Sequence, residues 1–158
     1  RHPQRFDEVA ALVQGSGLSL ARRSTWVDDP PPRHARDTDV WLGDSLGEMA
    51  LYYAAAHVAL LGGSFAPLGG QNLIEAAACA CPVVMGPHTF NFADAAGLSL
   101  RAGAAIRVAD LSEGVVRCVL LVGAADLSDY CERASGFAAS HRGAAKRMAT
   151  AIAELLNR

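Results

Sequence analysis

The stretch that decides the fold runs from His57 to Gly86, HVALLGGSFAPLGGQNLIEAAACACPVVMG. His57–Leu61 is a compact β-type run that stops at Gly62-Gly63, and a glycine-rich loop follows it. The apolar spacing then predicts a helix over Asn72–Cys81, and Pro82–Met85 reads as the next strand. Strand, loop, helix and strand at this interval make a βαβ unit, which implies a parallel sheet flanked by helices.

The same pattern extends in both directions. Upstream, Leu18–Arg23 and Val40–Gly43 read as short strands, with a helix from Pro3 to about Gln14 before them and one over Leu46–Ala56 after them. Asp28–Asp39, with three consecutive prolines among charges, reads as a loop. Downstream, Asn91–Arg101 reads as helix, Ala105–Val108 as strand and Leu111–Val122 as helix. The tail from Asp126 to Asn157 reads as one or two amphipathic helices. The expected fold is α/β: a Rossmann-like parallel sheet over residues 1–158, organised as one domain.

Composition agrees with this and narrows the function. The 158 residues are 51% hydrophobic and 19% charged, which suits a packed core and excludes intrinsic disorder. Aromatic residues are only 6% while alanine and glycine abound, so the interior must be built from small side chains. A net charge of −2 argues against a nucleic-acid surface, which needs clustered cations. No apolar run approaches the roughly 18 residues of a membrane span, and no secretory signal is visible. The first residue is arginine, so the chain is expected to be a piece of a longer protein.

Cys79, Cys81, Cys118 and Cys131 do not follow zinc spacing and read as small buried hydrophobes in a reducing cytoplasm. His34, His57 and His141 are scattered without metal spacing. No metal and no cofactor is expected. No carboxylate pair and no Ser–His–Asp arrangement marks a catalytic centre. Arg33-His34-Ala35-Arg36 reads as a solvated loop, with contact to anionic lipid headgroups as the lesser reading.

In parallel α/β sheets ligands bind outside the carboxyl ends of the strands, and three segments lie there. In Gly62–Ala77, Gly69 and Gly70 remove side chains just before a helix, where free backbone N–H groups and the helix dipole suit a phosphate. Glu75, one turn into that helix, is placed for a sugar diol. The alternative is that Asn72 and Glu75 form only a capping arrangement. In Gly43–Met49, Ser45 and Glu48 match a capping box, while Leu46, Gly47 and Glu48 could instead meet a base or ribose. In Gly86–Phe92, His88 is a possible ligand contact or simply solvated. Arg1, ahead of the first helix, could pair with a phosphate or carboxylate.

Several separate motifs carry a further likeness. RHPQRF (Arg1–Phe6), LGDSLGEM (Leu42–Met49), LYYAAAHVALLGGS (Leu51–Ser64), PLGGQNLIEAAA (Pro67–Ala78) and PVVMGPHTFNF (Pro82–Phe92) occur in this order. Together they resemble the C-terminal domain of the 3-deoxy-D-manno-octulosonic acid (Kdo) transferases, glycosyltransferases of the GT-B fold. The resemblance implies the donor half of an enzyme that moves Kdo from CMP-Kdo to a lipid A precursor in lipopolysaccharide synthesis, at the cytoplasmic face of the bacterial inner membrane. It implies nucleotide contacts from Arg1, from Leu46, Gly47 and Glu48, and from Asn72, Leu73, Ile74 and Glu75, with Glu75 on the ribose hydroxyls. Gln71 and Ala76 stand where the family commonly has histidine and proline.

The resemblance places the catalytic base, and the main contacts to the acceptor, in an N-terminal domain outside this chain. The isolated chain is therefore expected to be inactive and soluble. It also implies that strands ahead of Arg1 are missing, leaving the sheet incomplete or compensated by another copy. The alternatives are a GT-B transferase or epimerase using a UDP-linked sugar, and a non-catalytic domain whose glycine loops merely pack.

Overall fold

Five short strands, all in parallel pairs, organise the described residues. A computed structural model describes residues 2–26, 31–141 and 143–156. The strands fall into a two-stranded and a three-stranded sheet, and the chain into two compact units, Arg1–Tyr52 and Tyr53–Arg158. The single sheet expected from the βαβ pattern is thus two separate hydrogen-bonded ladders among the described residues.

In the first unit, a 3₁₀ turn at Pro3–Arg5 leads into α1 (Phe6–Gly15), whose first turn carries Asp7 and Glu8 at the positive end of the helix dipole. β1 (Leu20–Arg22) pairs with β2 (Val40–Leu42) in the register Leu20↔Val40, Ala21↔Trp41, Arg22↔Leu42. Asp39 fixes that register: its Oδ2 accepts the Ser19 hydroxyl at 2.6 Å and the Ser19 N–H at 2.8 Å. Those bonds, the hydroxyl's first, hold the Asp39 carboxyl below its ordinary pKa.

The predicted loop over Asp28–Asp39 contains a helical turn instead, α2 (Arg33–Arg36), with part of the loop outside the described residues. Pro32 starts the turn with its fixed φ of −59°, and the buried Ala35 anchors it. Arg33, His34 and Arg36 are exposed on it. α3 (Met49–Ala55) follows β2.

The second unit is built on β3 (Ala59–Leu61), β4 (Val83–Met85) and β5 (Ala105–Arg107), in the order β3-β4-β5. β4 is buried along its whole length, as the central strand of a covered parallel sheet must be. Helices α4 (Leu73–Ala78) and α5 (Ala93–Arg101) separate these strands, and α6 (Leu111–Val122) and α7 (Leu127–Ser140) come after them. α6 packs on β3 and β4, α5 on β5, and α7 on α4. The tail is two helices, α7 and α8 (Ala144–Leu156).

The small-residue interior is present. Ala76, Ala96 and Ala134 are fully buried beside Leu73, Val84 and Met85. α6 opens on a reciprocal cap that the sequence reading passed over. Asp110 Oδ1 accepts the Glu113 N–H at 2.9 Å, and Glu113 Oε2 accepts the Ala109 N–H at 2.8 Å. Asp110→Ala is expected to cost about 1 kcal/mol, measured by urea unfolding followed by circular dichroism; no loss would mean that the cap is not formed.

α4 is shorter than the predicted helix over Asn72–Cys81. Ala80 takes a left-handed φ of +56°, and the Cys81 N–H turns back to the Ala76 carbonyl at 3.0 Å. Cys79 and Cys81 therefore lie past the end of the helix. No disulfide joins the four cysteines; Cys81 is buried, whereas Cys79, Cys118 and Cys131 are only half-buried. Burial pushes the Cys81 thiol up to about 11, so it is protonated and unreactive at neutral pH. No helix among the described residues is long and apolar enough to cross a membrane.

Candidate functional site

The carboxyl ends of β3, β4 and β5 release loops 62–72, 86–92 and 108–110, and a buried serine locks the first two together. Ser64, fully buried, donates its hydroxyl to the Leu61 carbonyl at 2.5 Å and accepts the Gly86 N–H at 2.7 Å. Its own carbonyl accepts the His88 N–H at 3.0 Å. The sequence reading missed Ser64 because a serine beside glycines carries no pattern of its own.

Gly69 and Gly70 have φ of +85° and +80°. A Cβ on Gly69 would lie 2.2 Å from Asn91 Nδ2 and 2.8 Å from Phe90, and one on Gly70 would lie 3.3 Å from the His88 carbonyl. Absent side chains here admit the neighbouring loop, which corrects the expectation that they are missing to let a ligand approach. Asn91 completes the junction by donating its N–H to the Gly69 carbonyl and its side-chain amide to the Leu68 carbonyl, both at 3.2 Å.

At the start of α4 the capping arrangement forms. Asn72 Oδ1 accepts the Ile74 N–H at 3.1 Å, and Asn72 Nδ2 donates to Glu75 Oε1 at 3.1 Å. The Ile74 N–H is thereby occupied, and the Leu73 side chain is buried in the core, so that residue presents only its backbone. Glu75 is exposed.

In the first unit, Gly47 takes a φ of +81° and delays α3 to Met49, three residues later than predicted. The Ser45–Glu48 capping box does not form as such. The Ser45 hydroxyl donates to the Glu48 carboxylate instead of receiving a backbone N–H. Arg23 Nη2 donates to Glu48 Oε1 at 2.7 Å, and the Tyr52 hydroxyl donates to Glu48 Oε2 at 3.2 Å. These partners, the Ser45 hydroxyl foremost, hold the Glu48 carboxyl below its ordinary pKa. The result is an ionised, pre-oriented acceptor. Leu46 beside it is 69% exposed.

Asp44 anchors the segment from below. Its nearly buried carboxylate accepts Arg22 Nε at 2.6 Å, the Ser24 hydroxyl at 2.6 Å and the Ser24 N–H at 2.7 Å. Burial raises its pKa, but the Ser24 and Arg22 contacts outweigh that and leave it lowered. Arg22, Arg23 and Asp44 carry this network, and none of them stood out in the sequence, because their partners lie 20 or more residues away.

Leu46, Gly47 and Glu48 thus lie in the first unit and Asn72, Leu73, Ile74 and Glu75 in the second; Arg1 lies outside the described residues. No group of three or more His, Cys, Asp or Glu side chains among the described residues could hold a metal ion.

Parallel βαβ units with functional loops at the strand carboxyl ends define a Rossmann-like α/β chain. No family model matches it. It is 51% identical over 157 residues to the 3-deoxy-D-manno-octulosonic acid transferase of Bordetella pertussis, covering 99% of this chain and 36% of that protein. It is 36% identical to the Haemophilus influenzae enzyme of the same name, over 75% of this chain and 27% of that protein. A solved structure, the C-terminal CMP-Kdo binding domain of WaaA from Acinetobacter baumannii, matches with a TM-score of 0.76 and 33% identity, covering 87% of this chain and 69% of that one. The chain belongs to the 3-deoxy-D-manno-octulosonic acid transferase family and has the fold of its C-terminal, GT-B half. It spans about a third of the length of the Bordetella and Haemophilus relatives.

Proposed function

We propose that this chain is the donor-holding part of a glycosyltransferase that moves Kdo from CMP-Kdo to a lipid A precursor, in lipopolysaccharide synthesis at the cytoplasmic face of the inner membrane. The observation that carries the reading is the match to the Acinetobacter CMP-Kdo binding domain. The identity to the Bordetella transferase, which runs through nearly the whole chain, supports it.

In this reading CMP is the leaving group. Glu48, kept ionised by Ser45, Arg23 and Tyr52, accepts hydrogen bonds from the nucleoside, with Leu46 and Gly47 beside the base. Glu75 accepts the ribose hydroxyls. Asn72, Leu73 and Ile74 face the phosphate, whose charge Arg1 offsets. The base that deprotonates the acceptor hydroxyl lies in another part of the protein, so no residue of this chain takes a catalytic role. The chain alone binds the nucleotide and transfers nothing.

Calorimetric competition among CMP, UMP and UDP tests the donor assignment. CMP is expected to bind best, and a preference for UDP would overturn the assignment. Glu75→Gln is expected to weaken CMP binding about tenfold, the loss of one charge-assisted hydrogen bond. Because Glu75 is exposed, the unfolding midpoint should hardly move. Unchanged CMP affinity would remove Glu75 from the site.

A further inference from the structure

Beyond the residues assigned to the nucleotide, the second unit has a hollow of about 300 Å³ at the carboxyl ends of β4 and β5, lined by His88, Thr89, Phe90 and Arg107 among others. Arg107 closes β5, and its Nη2 donates to the buried Thr89 Oγ1 at 2.8 Å. That bond fixes the guanidinium plane, while the rest of the fork has no carboxylate partner among the described residues. Among the described residues no acidic side chain lines the hollow. Gly97 also lines it, and a Cβ there would stand 3.4 Å from Arg101 Nη1.

A planar fork held by one bond and left open on its other edge suits a bidentate oxyanion. The hollow's volume is at the low end of the roughly 300–1,000 Å³ of small-molecule pockets, which fits one sugar-sized group rather than a whole nucleotide sugar. The Ser64 lock and the Gly69–Gly70 junction hold the 86–92 wall in place.

We propose that this hollow is a carboxylate subsite in which Arg107, positioned by Thr89, holds the acid group of the donor sugar. The proposal rests on the reading of the chain as a CMP-Kdo binder, and it makes Arg107 a specificity residue that distinguishes a sugar acid from a neutral sugar. Thr89 acts through Arg107 and is a positioning residue.

The test titrates the ¹⁵N-labelled 158-residue chain separately with free Kdo, Kdo methyl ester, inorganic phosphate and CMP, reading the Arg107 side-chain Nε–H and the Thr89 amide. Free Kdo is expected to move both signals and the methyl ester neither. Arg107→Gln should weaken Kdo binding at least about tenfold while leaving CMP affinity unchanged. Arg107→Lys, which keeps the charge but not the fork, should recover only part of the loss. Equal shifts from acid and ester, no shift from Kdo at millimolar concentration, or a response to phosphate but not to Kdo would each overturn the proposal. A well-dispersed amide spectrum of the variants separates loss of binding from loss of fold. If CMP fails to move Asn72–Glu75 while Kdo still moves Arg107, the nucleotide reading falls and the carboxylate subsite stands.

Discussion

Asp44→Asn is expected to destabilise the first unit by about 2 kcal/mol, the cost of leaving a donor to an enclosed carboxylate without its acceptor when the partner Arg22 is itself 34% exposed. The amide is nearly isosteric but carries no charge, and one of its two oxygens becomes a donor. Whichever way the amide turns, an acceptor is lost: either Oδ1, which takes the Ser24 N–H at 2.7 Å, or Oδ2, which takes Arg22 Nε and the Ser24 hydroxyl, both at 2.6 Å. Arg22 retains its bond to the exposed Asp7, which compensates little because surface pairs contribute at most about 1 kcal/mol.

The effect has a pH signature whose sign follows from the direction of the shift. The folded-state pKa of Asp44 lies below the ordinary 3.8. Its contribution is therefore fully present above that ordinary value and is lost as the pH falls through the folded-state one. The stability gap between wild type and Asp44→Asn should be constant above about pH 5 and close at lower pH. Both tryptophans of the chain, Trp26 and Trp41, belong to this unit and meet edge to face at 5.2 Å, so urea unfolding followed by fluorescence reports on it directly. A gap that stays constant down to pH 3 would mean that the buried carboxylate is not the source of the loss.

Ser64→Ala should cost about 2 kcal/mol, and should loosen the wall of the loops at the strand ends. The hydroxyl is fully enclosed, and removing it leaves the Gly86 N–H buried without an acceptor. The methyl that remains restores no hydrogen bond. Because the Ser64 carbonyl also receives the His88 N–H, loosening this point reaches the loop that carries Thr89 and Phe90. Amide exchange should accelerate at Gly86 and His88 more than at Val84, in the centre of the sheet. Equal protection at all three, with stability within about 0.5 kcal/mol of wild type, would show that Ser64 does not hold the loops.

Much of this architecture was legible in the chain because it depends on local pattern. The run Leu111–Val122 specifies its helix to the residue, and the runs His57–Leu61, Pro82–Met85 and Ala105–Val108 mark all three strands of the larger sheet. What stayed hidden depends on distant partners. Ser45 and Glu48 have the spacing of a capping box, but Gly47 in the left-handed region and Arg23 across the unit redirect both side chains. Gly69 and Gly70 looked like a gap left for a ligand, yet Phe90, Asn91 and the His88 backbone fill it. Arg107 drew no attention because its place at a strand end beside Thr89 exists only once β5 has paired with β4. In each case residue type was readable and orientation was not.

The proposed function makes this chain the holder of a cytidine nucleotide. Amide shift mapping with CMP tests it most directly. Saturating CMP should move Leu46, Gly47 and Glu48 together with Asn72, Leu73, Ile74 and Glu75, leaving α6 unmoved. If those seven amides stay in place at millimolar CMP, the chain is not the nucleotide-holding part of the enzyme and the account fails.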